Sequence, residues 1–217
     1  MNETLAVSGQ HYLFNVQTFA HTVLALGGDS YQYALRDRTT RGVIADVAEE
    51  RSDIGVIVKT SENKAVIDKA CADAHLEWHE LIESIPRIAL PASHPLVHAE
   101  SLTLEDMAEY PYIYFDQGED APIEFAEEAL ARIPRAKRIA TTDRASLSEL
   151  IVALNGYTVT CGILVGISDG SDLNTVPLVT DVKLHLGYLT REGAALDVAA
   201  KRFISGLDKN LVRYAHM

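Results

Sequence analysis

Residues 53–60 read DIGVIVKT. The run is too short for a helix and too apolar to face water on either side. It reads as a strand covered on both faces, the usual situation inside a parallel sheet. The residues before it supply the covers. TLAVSGQHYLF opens with an apolar run that stops at Ser8-Gly9-Gln10, a strand ending in a loop. VQTFAHTVLALGG puts Val16, Phe19, Ala20, Val23 and Leu24 at helical spacing, and Gly27-Gly28 ends the helix. SYQYALRDRT alternates as a strand, and RGVIADVAEERSD is a helix with Val43, Ile44, Val47 and Ala48 inward. Residues 1–60 therefore read β-α-β-α-β, which is α/β architecture around a parallel sheet.

The remainder continues the alternation. LEWHELIES is a strand, and Pro86 and Pro91 bracket a shorter one, RIAL. The segment from Glu83 to Arg87 is a candidate crossover between two lobes. SLTLEDMAEY predicts a helix capped by Ser101 or Thr103, with Glu105 and Asp106 in its first turn and Pro111 as its stop. YIYF is a buried strand, DQGEDAP a loop at its C-terminal end, and IEFAEEALARI an amphipathic helix. AKRIATTD is a strand. RASLSELIVALNGY is a helix with Leu147, Leu150, Ile151 and Leu154 on one stripe, closed by Asn155-Gly156. TVTCGILV is another buried strand, followed by a loop after Gly166, strands at VPLV and KLHLGYLT, and a long amphipathic helix, ALDVAAKRFISGLDKNLV.

Several functions are disfavoured. The net charge of −12 repels phosphate backbones. The densest basic run, Arg132 to Arg138, follows an acidic helical stretch and complements its dipole. The N-terminus has neither a basic n-region nor a long apolar h-region, and no run of about 18 apolar residues occurs. A soluble cytoplasmic protein is expected. Cys71 and Cys161 lie far apart and read as reduced thiols. HLEWHE places His75 and His79 four apart, beside Glu80. On a strand they stand roughly 13 Å apart, too far to share one ion, so no metal is expected. No phosphate-binding loop, dinucleotide fingerprint or nucleophile elbow is present, so neither cofactor nor enzymatic chemistry is expected.

Four segments, LAVSGQHYLF, RGVIADVAEERSDIGVIV, SHPLVHAESLTLEDMAEYPYIYF and IVALNGYTVTCGIL with LHLGYLT, resemble the effector-binding domain of LysR-type transcriptional regulators. The resemblance covers nearly the whole chain. It implies two Rossmann-like α/β lobes of the type II periplasmic-binding-protein kind, joined by two crossover segments. Lobe I would be residues 1–86 plus 184–217, and lobe II residues 87–183. A small-molecule effector would lie between them. The family's winged helix-turn-helix has no counterpart in these residues, so DNA would be reached only through that N-terminal domain, and the net charge agrees. The resemblance also implies a homodimer, paired through the helices Val16–Leu26 and Ser146–Leu154. Ala25 and Leu26 on the first, and Val152 and Ala153 on the second, are apolar beyond one core stripe.

The site candidates sit at strand ends. Ser8, Gly9 and Gln10 precede a helix, where backbone N–H groups favour an anion or carboxylate; the rival reading is a loop that caps the helix. Lys59 and Thr60 end the third strand, and Lys59 could neutralise an anionic effector or simply be solvated. Phe115 and Asp116 end YIYF, as pocket wall or as core. Thr141, Thr142 and Asp143 lie before a helix, and Thr142 matches a family position that often bonds the effector. Cys161 lies near the cleft in such a fold, but a redox role needs neighbouring cations that the sequence does not supply. The expected function is effector sensing. A transport solute-binding protein, or an enzyme on the same fold, is the alternative.

Overall fold

The structure is a computed structural model and describes residues 3–27, 29–164 and 173–215. Gly28 and the start of the loop expected after Gly166 lie outside the described residues. The largest sheet has the order β2-β1-β3-β10-β4. It is built from β1 (Glu3–Gly9), β2 (Tyr31–Asp37), β3 (Ile54–Thr60), β4 (Leu76–Ser84) and β10 (Leu184–Arg191). Every residue of β3 is buried. Its side chains alternate between two cores. Ile54, Val56 and Val58 pack in one cluster with Phe14, Phe203 and Leu207, and Ile57 packs in another with Val43, Val47 and Ile67. This two-sided burial is why the run is continuously apolar.

The expected parallel sheet is a mixed one. β1 pairs in parallel with β2 and β3, but β10 runs antiparallel between β3 and β4. A run such as KLHLGYLT carries its strand period without carrying its direction. Its register against β4 shifts at Gly187, where an added Cβ would stand 2.2 Å from the His79 carbonyl oxygen.

A second set of strands lies between residues 87 and 177. β5 (Arg87–Pro91) pairs antiparallel with β8 (Thr158–Thr160) and β9 (Leu173–Pro177), while β6 (Tyr112–Phe115) pairs in parallel with β7 (Arg138–Thr141). β9 thus begins earlier than the expected VPLV, and β8 is shorter than TVTCGILV.

The helices are α1 (Leu13–Leu26), α2 (Thr40–Ala48), α3 (Lys64–Asp73), α4 (Arg144–Leu154) and α5 (Val198–Ala215). α3 was not anticipated; it buries only Ile67 and Cys71, too narrow a stripe to register as periodic. α1 is turned from the expected orientation. It buries Phe14, Asn15, Thr18 and Thr22, whereas Leu24 is 80% exposed. The reason is α5, whose Asn210 amide donates to the Thr18 hydroxyl at 2.9 Å. On α4, Leu147 and Ile151 face inward as expected, but Leu154 is exposed. Asn155 ends α4 in a left-handed conformation.

Two expected helices do not form. In SLTLEDMAEY the Thr103 N–H donates to the Asp106 carboxylate at 2.8 Å and the Asp106 N–H to the Thr103 hydroxyl at 3.2 Å. A capping pair is made, but only turns follow before Pro111. IEFAEEALARI forms a single 3₁₀ turn, Ile123–Phe125, and then turns. Phe125 is drawn into the core beside Val43, Ile57 and Ile67, and tertiary burial overrides the helical pattern.

Helix α2 starts on a side-chain cap: the Thr39 hydroxyl accepts from the Gly42 N–H at 3.2 Å. Thr39→Ala should cost about 1 kcal/mol, read as a lower urea midpoint at unchanged slope. A larger loss would mean that Thr39 does more than cap.

Candidate functional site

Strand β1 ends at Gly9, and the chain turns through Gln10, His11 and Tyr12 into α1. A Cβ on Gly9 would stand 2.4 Å from the Asn15 amide nitrogen, which donates to the Gln10 carbonyl at 3.2 Å. This tight turn aims His11 across the molecule. Its ring stacks on Phe115, at the end of β6, with centroids 4.1 Å apart and planes 11° apart.

Glu127 closes the same place from the other side. Its carboxylate accepts the His11 backbone N–H at 3.1 Å, pairs with His11 Nδ1 at 2.8 Å, and accepts from the Gln117 amide at 3.1 Å. Both side chains of the pair are nearly fully buried. Burial pulls the imidazole's pKa down, but the hydrogen bond and charge of Glu127 outweigh it, and the net shift is upward. Neighbouring Glu128 behaves differently. One oxygen accepts the Phe115 N–H at 2.8 Å, and Oε2 has no partner among the described residues. Burial, with the charge of Glu127, pushes its carboxyl up to about 8, against the Phe115 N–H and Arg135.

His11, Phe115 and Glu128 border a cavity of about 70 Å³. Leu147 and Ile151 of α4, Val159 of β8 and Ile163 supply apolar wall, and Arg144 is also part of the lining. Arg144 Nη2 pairs with Asp37 at the end of β2, 2.8 Å away. On the other side of His11 lies a more open polar cleft of about 470 Å³, bordered by Arg38, Arg51, Asp116 and Thr142.

Of the expected site residues, Phe115 lines the cavity, and Asp116 and Thr142 line the polar cleft. The others are engaged internally. The Ser8 hydroxyl is fully buried, donating to Asp46 at 2.7 Å beside Ser52 at 2.8 Å. Burial alone would raise the Asp46 pKa, yet hydrogen bonds from Arg38, Ser8 and Arg51 hold it down at about 2. The Gln10 amide donates to the Thr40 hydroxyl and accepts the Val58 N–H, both at 2.6 Å, tying β1 to β3 and α2. The Lys59 ammonium is fully buried, ion-paired to Asp68 and 3.6 Å from the centre of the Trp78 ring. Thr60 accepts the Asn63 N–H at 3.1 Å in the turn before α3. Cys161 is buried, and desolvation pushes its thiol up to about 11, opposite to what a redox sensor needs.

The sequence reading missed His11, Glu127, Glu128 and Arg144. His11 directly follows the SGQ loop, a signal that was available. The two glutamates looked like the solvent face of a helix that does not form.

Residues 31–211 match the LysR substrate binding domain. A stretch of 85 residues, 39% of this chain, is 29% identical to the HTH-type transcriptional regulator SsuR of Burkholderia cenocepacia, and it spans only 24% of that protein. HinK, a LysR family transcriptional regulator from Pseudomonas aeruginosa, aligns over 99% of this chain and 72% of its own, with TM-score 0.66 and 14% identity. The effector binding domain of QuiR, in complex with shikimate, aligns over 100% of this chain and 98% of its own, with TM-score 0.63 and 14% identity. At such identities the structural likeness is one of fold.

Proposed function

Since the chain belongs to the LysR substrate-binding domain family, we propose that it senses a small-molecule effector for a LysR-type transcriptional regulator. The single observation that carries this reading is the cavity where the end of β1, the end of β6 and helix α4 meet around the His11–Phe115 stack. Residues 1–86 with 184–217 would form one lobe and residues 87–183 the other, with Arg144–Asp37 and His11–Glu127 spanning them. The protein would do no chemistry. Its output would be a difference in effector affinity between two arrangements of the lobes. DNA contact would belong to a separate winged helix-turn-helix domain, and the setting would be the cytoplasm. Among the described residues no helix is long and apolar enough to cross a membrane.

A thermal-shift screen against small metabolites tests the sensor reading. A compound at about 100 times its Kd should add roughly 2.7 kcal/mol to the folded state. Ile151→Trp, which fills the cavity, should abolish that shift. A shift that survives the filling would place the effector elsewhere, and consumption of the compound would favour an enzyme.

The same reading includes a homodimer through α1 and α4. Leu24 is 80% exposed and Val152 is 43% exposed, with Ala25 and Ala153 exposed beside them. Leu26, which the sequence offers together with Ala25, is half-buried and less suitable. Leu24→Glu with Val152→Glu should convert the dimer to a monomer in sedimentation. A dimer that persists would overturn this choice of helices.

A further inference from the structure

The walls of the cavity also restrict what it can hold. Resting on the effector reading above, we propose that the cavity takes a small uncharged molecule with an apolar body and one acceptor oxygen, which accepts a hydrogen bond from the Glu128 carboxylic acid.

Size comes first. About 70 Å³ is roughly half of the 150 Å³ that accommodates a benzene ring, so the enclosed part of a ligand is on the order of three to five non-hydrogen atoms. The enclosing wall of Leu147, Ile151, Val159 and Ile163 suits an apolar body.

Charge comes next. A carboxylate entering at the start of α1 would seek the His11 N–H, and Glu127 already occupies it. The charge of Glu127, paired with His11, then borders the space an anion would enter. The opposing feature is Arg144, whose Nη1 is buried without a partner among the described residues, although Nη2 is paired with Asp37. A cation would need Glu128 ionised while Arg144 lines the same cavity. It would also give up its own hydration on entry.

The polar contact follows from Glu128. Oε1 is committed to the Phe115 N–H, Oε2 has no partner among the described residues, and the side chain is buried. With the carboxyl held up to about 8, the acid is protonated at neutral pH and carries a donor with nothing to receive it. An unpaired buried donor is costly, so a ligand oxygen that accepts from it gains more than the same contact at the surface. The charged and titratable groups facing Glu128 are Glu127 beside it, Arg135, Tyr12 ahead of α1 and Tyr112 on β6, with His11 and Arg144 around the cavity. Burial keeps both tyrosines neutral well past pH 10.

Acetate, acetamide and acetamidine share one shape and differ in charge, so they separate the classes. Each is titrated to about 100 mM against the domain, following the thermal midpoint, because ligands this small bind weakly. Acetamide should bind about tenfold more tightly than either ion at about pH 7. Between about pH 7 and pH 9 its affinity should fall about tenfold as Glu128 ionises. Glu128→Gln, which keeps a donor that does not titrate, should bind acetamide equally at both pH values. If acetate binds most tightly, Arg144 governs the cavity; if acetamidine does, Glu128 is ionised. Either overturns the uncharged class and leaves the cavity as the effector site. If none of the three shifts the midpoint, or Ile151→Trp leaves the shifts unchanged, the cavity binds nothing of this size and the reading beneath the proposal fails with it.

Discussion

Glu127→Ala is expected to lower folding stability by about 3 kcal/mol. The substitution strips three donors of their acceptor at once: the His11 N–H, the His11 ring and the Gln117 amide. The pair is buried on both sides, and breaking a buried ion pair from one partner typically costs about 3–5 kcal/mol, because the other charge stays behind without hydration. The lower end is expected here, since an imidazole can escape the cost by giving up its proton. That escape sets the pH dependence. The folded pKa of His11 lies above its unfolded value of 6.5, so the pair's contribution is fully present below that value. It is lost as pH rises through the folded pKa. Urea titrations of both proteins should therefore differ most in mild acid, with the gap narrowing above neutrality. A gap that does not change with pH would show that His11 is neutral in the folded protein and that only hydrogen bonding was lost. Glu127→Gln should fall between the two, keeping an acceptor but not the charge.

The same residues show how far the sequence could be read. The architecture was legible because it is written in local periodicity. DIGVIVKT reads as an inner strand and is one, and RASLSELIVALNGY reads as a helix closed at Asn155-Gly156 and ends at Asn155. What the period does not carry was lost. The direction of β10 depends on pairing with β3 and β4 far away in the chain. The rotation of α1 depends on α5 meeting its polar side at Thr18. FAEEAL has a helical pattern, yet Phe125 gains more from the core beside Val43 than its neighbours gain from a helix.

The candidate site was less legible than the fold. The expected anion at the turn before α1 has no test in the fold: the His11 N–H there is taken by the protein's own Glu127. Ser8 and Gln10 are polar and stand at the end of β1, where an effector ligand was expected. Both are held by partners that no local window contains, Asp46 and Thr40.

Lys59 gives the second large effect, and it separates a structural lysine from an effector ligand. Lys59→Ala should cost about 3 kcal/mol. It empties a fully buried site and removes the contact with the Trp78 ring, and large-to-small core changes cost about 2–5 kcal/mol. Lys59→Met should stay within about 1 kcal/mol of the wild type. It keeps the chain's volume, and Asp68, about a third exposed, retains Lys64 as a partner. The reason to expect so little from losing the charge is that burial lowers the Lys59 pKa even though Asp68 opposes it. The charged form is thus a net burden on the fold at neutral pH. Its sign is testable: with the folded pKa below the ordinary lysine value, the unfolded chain holds more protons in alkali, so wild-type stability should rise relative to Lys59→Met as pH approaches about 10. A lysine that bound an anionic effector would behave otherwise. Lys59→Met would then fold normally and lose the ligand-induced thermal shift, whereas the burial of Lys59 on the α3 side predicts that the shift is retained.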